Sequence, residues 1–476
     1  MTDGKYLITI GIECHVQLKT KTKLFSEVDN DARGKEPNSC VSPVDYALPG
    51  MLPRLNGEAV RLAIVAGAAM NCKINPCSRF DRKHYFYPDS PKGYQITQFY
   101  HPIIGEGFIE LPSGKKIRIE HAHLEGDAGK LSHFSTYSLV DLNRVDTPLI
   151  EIVSMPDISS AEEARDYCKE LWRSMCYADV TNGDLYNGNM RFDVNISLRK
   201  SESDPLGTRA EIKNLNSFRS IERAVEYEYE RQKKLLDKGE KIVQETRGWS
   251  DATGKTTSQR SKEEAQDYRY MPEPDLPPLN LSKDFIDSEY KKCPLLPADF
   301  RRLFKGLIPS DTLEVLLDYP ALVRRLAELK EKDSSAVSFV ANLFSSVLLA
   351  EENSSLLNDR LPEVAQLLEL SSMKSKNELS STAAKEVFIK LFDEKHFSKS
   401  ARELAKELNL LQENDSAALE KLVDAVLSNP ATKKAQDDFR SGQEKVLGFL
   451  VGQVMKESHG KANPSAVSEI IRKKLK

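Results

Sequence analysis

The period of the hydrophobic pattern changes once along this chain, and that change most restricts the folds it can adopt. Up to about residue 290, segments such as YLITIGIECHVQL, KKIRIEHAHLEGD and MRFDVNISLR alternate apolar and polar residues, which predicts half-buried strands of an antiparallel or mixed sheet. Beyond about residue 292, apolar residues recur at helical spacing instead, as in Leu313, Leu316 and Leu317. The sequence therefore predicts an α+β fold, with a sheet domain first and all-helical domains after it.

Helical patterns also interrupt the strand-rich part, and a proline-rich passage closes it. The predicted helices cover residues 56–69, 160–175 and 217–238. The last of them is densely charged, which is typical of a solvated helix with paired charges. The passage MPEPDLPPLNL cannot continue a helix or a central strand, so we interpret it as an ordered edge segment or a domain boundary.

Composition excludes several classes of protein. The net charge of −4 argues against a protein that coats nucleic acid over its whole surface, although a local basic patch is compatible with it. The 7 cysteines form no CxxC pair, which favours reduced thiols in a cytosol. The N-terminus lacks the features of an export signal, and the longest weakly polar run, residues 336–350, is too short to span a bilayer. We expect a cytoplasmic protein with no membrane partner.

Four predicted strands carry charged, histidine and amide side chains on the face opposite their apolar one, as pleat geometry dictates. These residues are Glu13 and His15; His121, His123, Glu125 and Asp127; Arg191, Asp193, Asn195 and Arg199; Glu211 and Lys213. A solvated face explains any single strand. Lys and Glu dominate ordinary solvated faces, whereas His, Asp and Asn are over-represented here, so a functional concave face is an equally weighted alternative.

Such a face suits phosphoryl transfer. Carboxylates hold a divalent ion, the ion bridges phosphate oxygens, and Arg or Lys neutralises the charge that develops in the transition state. The metal preference stays open, because oxygen ligands favour magnesium whereas a histidine ligand favours manganese or zinc.

The segment GDAGKLS superficially matches a phosphate-binding P-loop. Gly126 and Gly129 are too close together for that motif, and Leu131 stands where Ser or Thr should follow the lysine. We interpret the glycines as a structural turn, and keep Lys130 as a residue able to reach a phosphate. The sequence contains no GxSxG and no Ser-Ser-Lys amidase signature, so glutamine hydrolysis has no candidate residues in this chain.

Long phrases in the first 290 residues, in a fixed order, closely resemble the B subunits of the tRNA-dependent amidotransferases. The ending GFLVGQVMKESHGKANPSAV also resembles the tail of that family. The phrases are IGIECHVQLKTKTKLF, FDRKHYFYPDSPKGYQITQF, HLEGDAGK, SLVDLNRVDTPLIEIVSMPDI, AEIKNLNSF, QETRGWSDATGKT and DYRYMPEPDLPPL.

The resemblance implies a cradle-shaped catalytic domain related to glutamine synthetase over residues 1–292. A helical domain over 293–405 and a tRNA-binding tail domain over 406–476 would follow. It also implies a heterotrimer, in which a separate glutaminase (A) subunit releases ammonia and a small C subunit completes the complex. Misacylated tRNA is the remaining implied partner.

The implied activity is that of an ATP-dependent carbon–nitrogen ligase of the glutaminyl-tRNA synthase (glutamine-hydrolysing) type. With ATP and Mg²⁺, the B subunit would phosphorylate the side-chain carboxylate of glutamyl-tRNA(Gln), aspartyl-tRNA(Asn) or both. Ammonia arriving through a channel would then displace the phosphate. The required parts are positioning, charge neutralisation and exclusion of water.

Carried over position by position, the resemblance implies four groups of site residues. The implied metal ligands are Glu13, His15, Glu125 and Glu151. The implied catalytic residues are Glu125, Asp193, Glu211 and Lys213. The residues expected to bind the nucleotide are Arg191, Asn195 and Lys130, and those expected near the mouth of the ammonia path are Lys83 and Tyr87.

One departure from the family concerns the segment HLEGDAGK. Resembling sequences usually read HLEEDAGK, so Gly126 replaces a glutamate here. Strand alternation places Glu125, not residue 126, on the face of His123 and Asp127, so we expect activity to survive.

A second departure concerns zinc. Many members carry a zinc knuckle between the first two phrases, whereas the aligned positions here hold Ser26, Val28, Ser42 and Asp45, and Cys40 is out of place. Because the thiolates are missing, we expect no zinc and a loop held by ordinary packing.

The C-terminal segment IIRKKLK collects cations at the end of a predicted helix. Arg472, Lys473, Lys474 and Lys476 complement the helix dipole there, and they suit contacts with tRNA phosphates equally well. The resemblance favours RNA, whose shape would supply the discrimination.

Two other functions remain as alternatives. An ATP-dependent ligase acting on a free small carboxylate would turn over without tRNA. A non-catalytic tRNA-binding scaffold subunit would have lost its site, which Gly126 makes worth testing, although the retained Glu13, His15 and Glu125 speak against it.

Overall fold

The computed structural model describes residues 6–261, 267–358, 360–412, 416–458 and 462–475. The chain divides into two compact units, Met1–Asp299 and Phe300–Lys476. Strands occur in the first unit, and the second is helical throughout its described part. The α+β fold and the change from sheet to helix are therefore confirmed, while the relation to glutamine synthetase stays a prediction.

The first unit is built around one eight-stranded sheet of order β13-β12-β11-β10-β1-β9-β6-β5. Neighbouring strands are antiparallel except β11 and β12, which are parallel. The strands are β1 (Leu7–Gln17), β2 (Cys77–Ser78), β3 (Asp81–His84), β4 (Tyr94–Thr97), β5 (Gly107–Glu110), β6 (Lys116–Gly126), β7 (Lys130–His133), β8 (Ser138–Asp141), β9 (Pro148–Ser154), β10 (Met190–Arg199), β11 (Ala210–Leu215), β12 (Glu245–Ser250), β13 (Lys255–Ser261), β14 (Met271–Pro272) and β15 (Leu279–Asn280).

The alternation predicted for β1 is present in the fold. Ile10, Ile12, Cys14 and Val16 are buried, and the residues between Ile12 and Val16 on the other face are only partly covered. The buried residues join the main hydrophobic core, which the helices of this unit close from the apolar side of the sheet. The polar side is left to hold the candidate site.

Three helices pack against this sheet, and each begins where a polar side chain caps it. Asn56, Ser160 and Ser217 accept hydrogen bonds from the backbone amides of Glu58, Glu163 and Ser220, respectively. These caps place the starts of all three predicted helices correctly. The helices of the first unit are α1 (Gly57–Ala69), α2 (Ala161–Tyr177), α3 (Phe218–Asp237) and α4 (Lys283–Tyr290).

Helix α3 is less solvated than its charge suggests. Its buried side includes Glu228, which is fully enclosed and accepts hydrogen bonds from Arg231, Gln232 and Thr256. The prediction of a merely solvated helix is therefore wrong for this position, because a carboxylate is tolerated inside when enough donors surround it.

Short strands form three smaller sheets in the same unit. β3 pairs with β4 and β14, β2 pairs with β15, and β7 forms a hairpin with β8. The proline-rich passage supplies β14 and β15, so it is the ordered edge segment that its prolines indicate.

The second unit consists of helices joined by short turns. Along the chain, α5 (Pro297–Leu303) precedes α6 (Ser310–Leu316), α7 (Pro320–Lys332), α8 (Val337–Leu343), α9 (Val364–Ser375), α10 (Ser381–Lys390), α11 (Ala401–Glu407), α12 (Ser416–Leu427), α13 (Lys433–Arg440), α14 (Leu447–Glu457) and α15 (Pro464–Leu475). A separate apolar cluster joins α12 to α15, with Val423, Leu450 and Ile471 at its centre. The predicted domain boundary between residues 405 and 406 falls inside α11.

The basic end of α15 is partly engaged within the unit. Arg472 forms an ion pair of 3.2 Å with Glu444, and Lys474 one of 2.6 Å with Asp424. Lys473 is exposed, and Lys476 lies outside the described residues. Among the helices of the described ranges, none is long and apolar enough to cross a membrane.

Candidate functional site

A carboxylate flanked by two imidazoles lies on the polar face of the sheet, where β9 runs between β1 and β6. Strand register places Glu151 opposite His15 on one side and opposite His123 on the other. The Oε2 atom of Glu151 is 3.5 Å from Nε2 of His15 and 3.6 Å from Nε2 of His123. Glu125 completes the cluster at 3.6 Å from His15 and 3.7 Å from His123.

A β-bulge in β6 places His123 and Glu125 on the polar face, in this cluster. The pairing with β9 shifts by one residue between Ile119 and His121. Ile117 and Ile119 therefore pack in the core, whereas His121, His123 and Glu125, at the same spacing, lie on the polar face. Without the extra residue, the imidazoles and the carboxylate would be directed into the apolar core.

The electrostatics of the cluster favour a cation. Burial alone would lower the pKa of His15. The hydrogen bond with Glu151 and the charges of Glu125 and Glu151 outweigh burial, so the pKa of His15 is raised. For Glu151, burial is outweighed by His15, His123 and Lys83, which hold its pKa below the usual range. The Nδ1 atom of His123 is buried without a hydrogen-bond partner in the described part of the chain.

The donor set fits a divalent ion. One ligand atom each from His15, Glu125 and Glu151 can be chosen so that all lie within 4.8 Å of one another. Two carboxylates with one imidazole suit magnesium or manganese, and the latter accepts a nitrogen ligand more readily.

A second polar group lies beside the first, on β1, β10 and β11. Glu13 is opposite Asp193, and its carboxylate accepts a hydrogen bond of 2.9 Å from the amide of Asn195. Lys213 donates to Asp193 at 2.9 Å and is 3.3 Å from Glu211. One ammonium is thus shared by two carboxylates from adjacent strands.

The negative charges around Glu13 affect its protonation. Burial raises its pKa first, and the nearby carboxylates of Glu151, Glu211 and Asp193 raise it further, while the hydrogen bond from Asn195 lowers it. A carboxylate held near other negative groups gains stability from any cation that enters. Glu13 lies two residues before His15 on β1, outside the group of ligand atoms from His15, Glu125 and Glu151, so its role as a metal ligand stays a prediction.

The bulge that follows Lys213 is the second irregularity on this face. The pairing of β10 with β11 shifts between Phe192 and Val194, and Asn214 adopts a left-handed backbone conformation with φ of 66°. Asparagine tolerates that region better than most residues do. The local kink leaves Lys213 opposite Asp193, at the wall of the cavity.

A cavity of about 590 Å³ opens over both groups. Its wall includes His15, Glu125, Asp193 and Lys213, together with further cations from other elements. Among the latter, Lys83 lies 5.0 Å from the ring centre of Tyr268. Although burial opposes its charge, Glu125, Tyr270 and Glu151 raise the pKa of Lys83, so it faces the cavity as an ammonium.

A carboxylate with two guanidinium partners borders the same cavity. Arg191 donates to both oxygens of Asp127 at 3.3 Å, and Arg144 lies 3.1 Å from that carboxylate. The wall thus alternates negative and positive groups, which suits a ligand with several phosphate oxygens and a bound cation.

The structure brings together most of the site residues predicted from sequence. Those in or beside the two polar groups and the cavity wall are Glu13, His15, Lys83, Glu125, Glu151, Arg191, Asp193, Asn195, Glu211 and Lys213. Lys130 and Tyr87 are exposed, and neither belongs to the described lining of the cavity. Their roles stay predictions.

Other residues of the cavity wall were not among the predicted site residues. His123, which belongs to the cluster and not to the cavity wall, was already placed on the polar face by alternation. Arg144, Asp146 and Lys92 lie in loops without periodic pattern, where only tertiary contacts bring them to the cavity.

A buried ion pair holds the loop for which the sequence predicts no zinc site. The ammonium of Lys23 lies 3.4 Å from the carboxylate of Asp45, and both side chains are completely buried. Ser26 and the amide of Ser42 also donate to Asp45, at 3.3 Å and 2.8 Å. Polar side chains rather than packing alone therefore fill this loop, and the absence of zinc stays a prediction.

Comparisons with known proteins find similar families for both units of the chain. A family described as the GatB/GatE catalytic domain matches residues 8–287, and a family described as the GatB domain matches residues 324–475. The B subunit of the aspartyl/glutamyl-tRNA(Asn/Gln) amidotransferase of Thermodesulfovibrio yellowstonii is 44% identical over 99% of this chain and 100% of its own length. The protein of the same name from Thermotoga maritima is 42% identical over 99% of each chain.

Proposed function

This chain belongs to the GatB family of amidotransferase B subunits, and we propose that it activates the side-chain carboxylate of misacylated tRNA with ATP. The observation that carries the proposal is the cavity itself. At its wall, two carboxylates and one imidazole that suit a divalent ion stand beside Lys83, Arg191 and Lys213, which suit phosphate. Phosphoryl transfer from ATP requires both sets of groups.

The chemistry proceeds in two balanced steps. A side-chain carboxylate oxygen of the glutamyl or aspartyl group attacks the γ-phosphorus of ATP, and the bond to the bridging oxygen breaks to release ADP. Ammonia then attacks the acyl carbon, loses a proton, and inorganic phosphate leaves. The first step is needed because a carboxylate is a poor electrophile at neutral pH, whereas an acyl phosphate has a good leaving group.

Residues of this chain would bind the metal ion and neutralise the negative charge that develops on phosphate. His15, Glu125 and Glu151, with Glu13 beside them, would hold Mg²⁺, which when bound neutralises phosphate oxygens. Lys213 lies between Asp193 and Glu211 and offers its remaining N–H to a phosphoryl or acyl oxygen.

Ammonia formation belongs to a partner in this proposal. A glutaminase (A) subunit would release it and a small C subunit would complete the heterotrimer, because this sequence contains no amidase signature of its own. Lys83 and Tyr87 remain the proposed residues at the entry of the ammonia path, and Lys130, Arg191 and Asn195 the proposed nucleotide contacts.

Release of inorganic phosphate from ATP tests the proposal. The chain, assembled with its partner subunits and supplied with ammonium, is assayed with and without glutamyl-tRNA(Gln) and aspartyl-tRNA(Asn). We expect release only with misacylated tRNA, and we expect it to be lost in Glu13→Ala. Glu120→Ala is the matched control, because Glu120 is an exposed carboxylate on β6 outside the cavity wall.

Two outcomes would replace the proposal. Phosphate release that does not need tRNA would indicate a ligase for a free small carboxylate. Intact tRNA binding without any release would indicate a non-catalytic scaffold.

A further inference from the structure

The carboxylate of Asp146 occupies the space into which a side chain at position 126 would extend. A Cβ atom built on Gly126 would lie 2.6 Å from Oδ1 of Asp146, closer than two such atoms approach without displacement. It would also lie 3.3 Å from the Cα atom of Asp146 and 3.4 Å from the ring of Phe25, which are both tight contacts. Side chains at positions 126 and 146 therefore compete for the same space.

The backbone fixes Asp146 in this place. Its φ is 58°, in the left-handed region that favours glycine. Its amide donates to the carbonyl of Asp127 at 2.9 Å, and its carbonyl accepts from the amide of Leu24 at 2.8 Å. Aspartate tolerates this region better than most residues do, and its side chain makes a contact that a glycine would lack.

That contact is with Lys92, whose ammonium is paired with the Asp146 carboxylate. Both side chains are more than nine-tenths buried, at 8% and 6% exposure. The neighbouring cation, Lys23, already has Asp45 at 3.4 Å as its own partner. Asp146 is consequently left to orient Lys92.

Lys92 and Asp146 both line the cavity that holds the candidate site. An ammonium held at the wall by a buried carboxylate has fewer rotamers to lose when an anion binds. The remaining N–H groups of Lys92 are donors for phosphate oxygens.

We propose that Asp146 is a positioning residue which replaces a glutamate at 126, and that it orients Lys92 to bind a phosphate group of a ligand in the cavity. This inference rests on the proposed function for the identity of the ligand. The phosphate is either that of ATP or that of the acceptor end of tRNA, and the two have separate Michaelis constants.

An exchange of the two side chains tests the proposal. Gly126→Glu alone should lower activity because its Cβ atom meets Asp146. Asp146→Gly alone should raise one of the two KM values by on the order of 10- to 100-fold, because Lys92 loses the carboxylate that orients it. The double variant Gly126→Glu/Asp146→Gly should recover most of that loss, since a carboxylate then reaches Lys92 from the end of β6 instead of from the loop before β9. KM for ATP and KM for glutamyl-tRNA are measured separately, and the one that rises identifies the phosphate.

Two further variants separate positioning from folding. Lys92→Met should raise the same KM, and combining it with Asp146→Gly should add little. Asp179→Gly is the matched control, since Asp179 also has a left-handed backbone, with φ of 56°, and pairs with Lys19 at 2.8 Å on the exposed surface. It should change neither KM nor kcat.

Tryptophan fluorescence shows whether a variant has lost its fold or only the contact. Trp172 and Trp249 are the 2 tryptophans of the chain, and both lie in the first unit, so their fluorescence follows its unfolding. With the wild type active, a double variant as impaired as Gly126→Glu, or a fall in kcat at unchanged KM, would overturn the inference. A wild type without tRNA-dependent phosphate release would overturn the proposed function instead. In that case the unfolding midpoint tests whether positions 126 and 146 are coupled. A midpoint that Gly126→Glu lowers and the double variant does not restore would overturn the inference.

Discussion

Glu151 shows how one residue organises the candidate site. It stands on a central strand between two histidines that belong to its neighbours, and Glu125 faces the same two rings. In the absence of a cation, protonation of His15 balances the carboxylates, which is why its pKa is raised against the effect of burial. A divalent ion would replace that proton.

We expect Glu151→Gln to weaken the binding of Mn²⁺, used as the probe metal, by at least on the order of 10- to 100-fold. The amide retains the shape of the side chain but loses its charge. Binding should also weaken as the pH falls through the raised pKa of His15, because the proton competes for the same nitrogen. Titration followed by electron paramagnetic resonance measures both effects.

The control for that titration is Glu120→Gln, which removes an exposed carboxylate from the same strand β6 as Glu125. It should bind Mn²⁺ as the wild type does. Equal affinity in Glu151→Gln and wild type would remove Glu151 from the set of metal ligands.

At the scale of elements, the segment from Lys23 to Asp45 shows how a buried polar network holds a loop. Its buried ion pair is supported by Ser26 and Ser42. A buried pair adds little net stability relative to apolar residues, but the loss of one partner leaves an uncompensated charge.

Asp45→Ala should therefore destabilise the first unit by about 3–5 kcal/mol. Replacing both partners, in Lys23→Met/Asp45→Leu, should cost less than the single change. Guanidinium unfolding followed by tryptophan fluorescence measures the free energy of this unit. Asp29→Ala, which removes an exposed ion pair of 2.6 Å with Lys35 in the same loop, is the control. A double variant less stable than Asp45→Ala would contradict the argument.

At the scale of the whole molecule, the two units have different secondary structure and different tasks in the proposal. The site lies wholly in the first unit, and the second contains the basic end of α15, where Arg472 and Lys474 are partly neutralised by their ion pairs. Affinity for tRNA phosphates would then come from a wider surface than the last few residues.

Removal of residues after Gln412 should weaken the binding of tRNA by about tenfold or more, with a smaller dependence on salt, because phosphate contacts are lost. The cut avoids the interior of α11, which a cut after residue 405 would divide. Filter binding at several salt concentrations measures the loss, and tryptophan fluorescence verifies that the first unit stays folded. Unchanged affinity would exclude a role of the tail in tRNA binding.

The sequence by itself determined the α+β architecture, the starts of α1 to α3 and most of the polar face. These are consequences of local rules: side chains of a strand alternate between faces, and Ser, Thr, Asp and Asn are preferred where a helix begins. Glu13 and His15 on one strand, and Asp193 and Asn195 on another, were therefore placed on a common face without any knowledge of which strands are neighbours.

Only the tertiary structure decided which residues meet. Strand order places Glu151 between His15 and His123, and the bulge at residues 119–121 changes the phase of β6, which simple alternation over the whole strand does not foresee. The pairing of Lys92 with Asp146, and the space that Gly126 leaves for it, join loops that are distant in sequence. Such contacts have no periodic signal, because they depend on how the packed core brings separate segments together rather than on the conformation of any one of them.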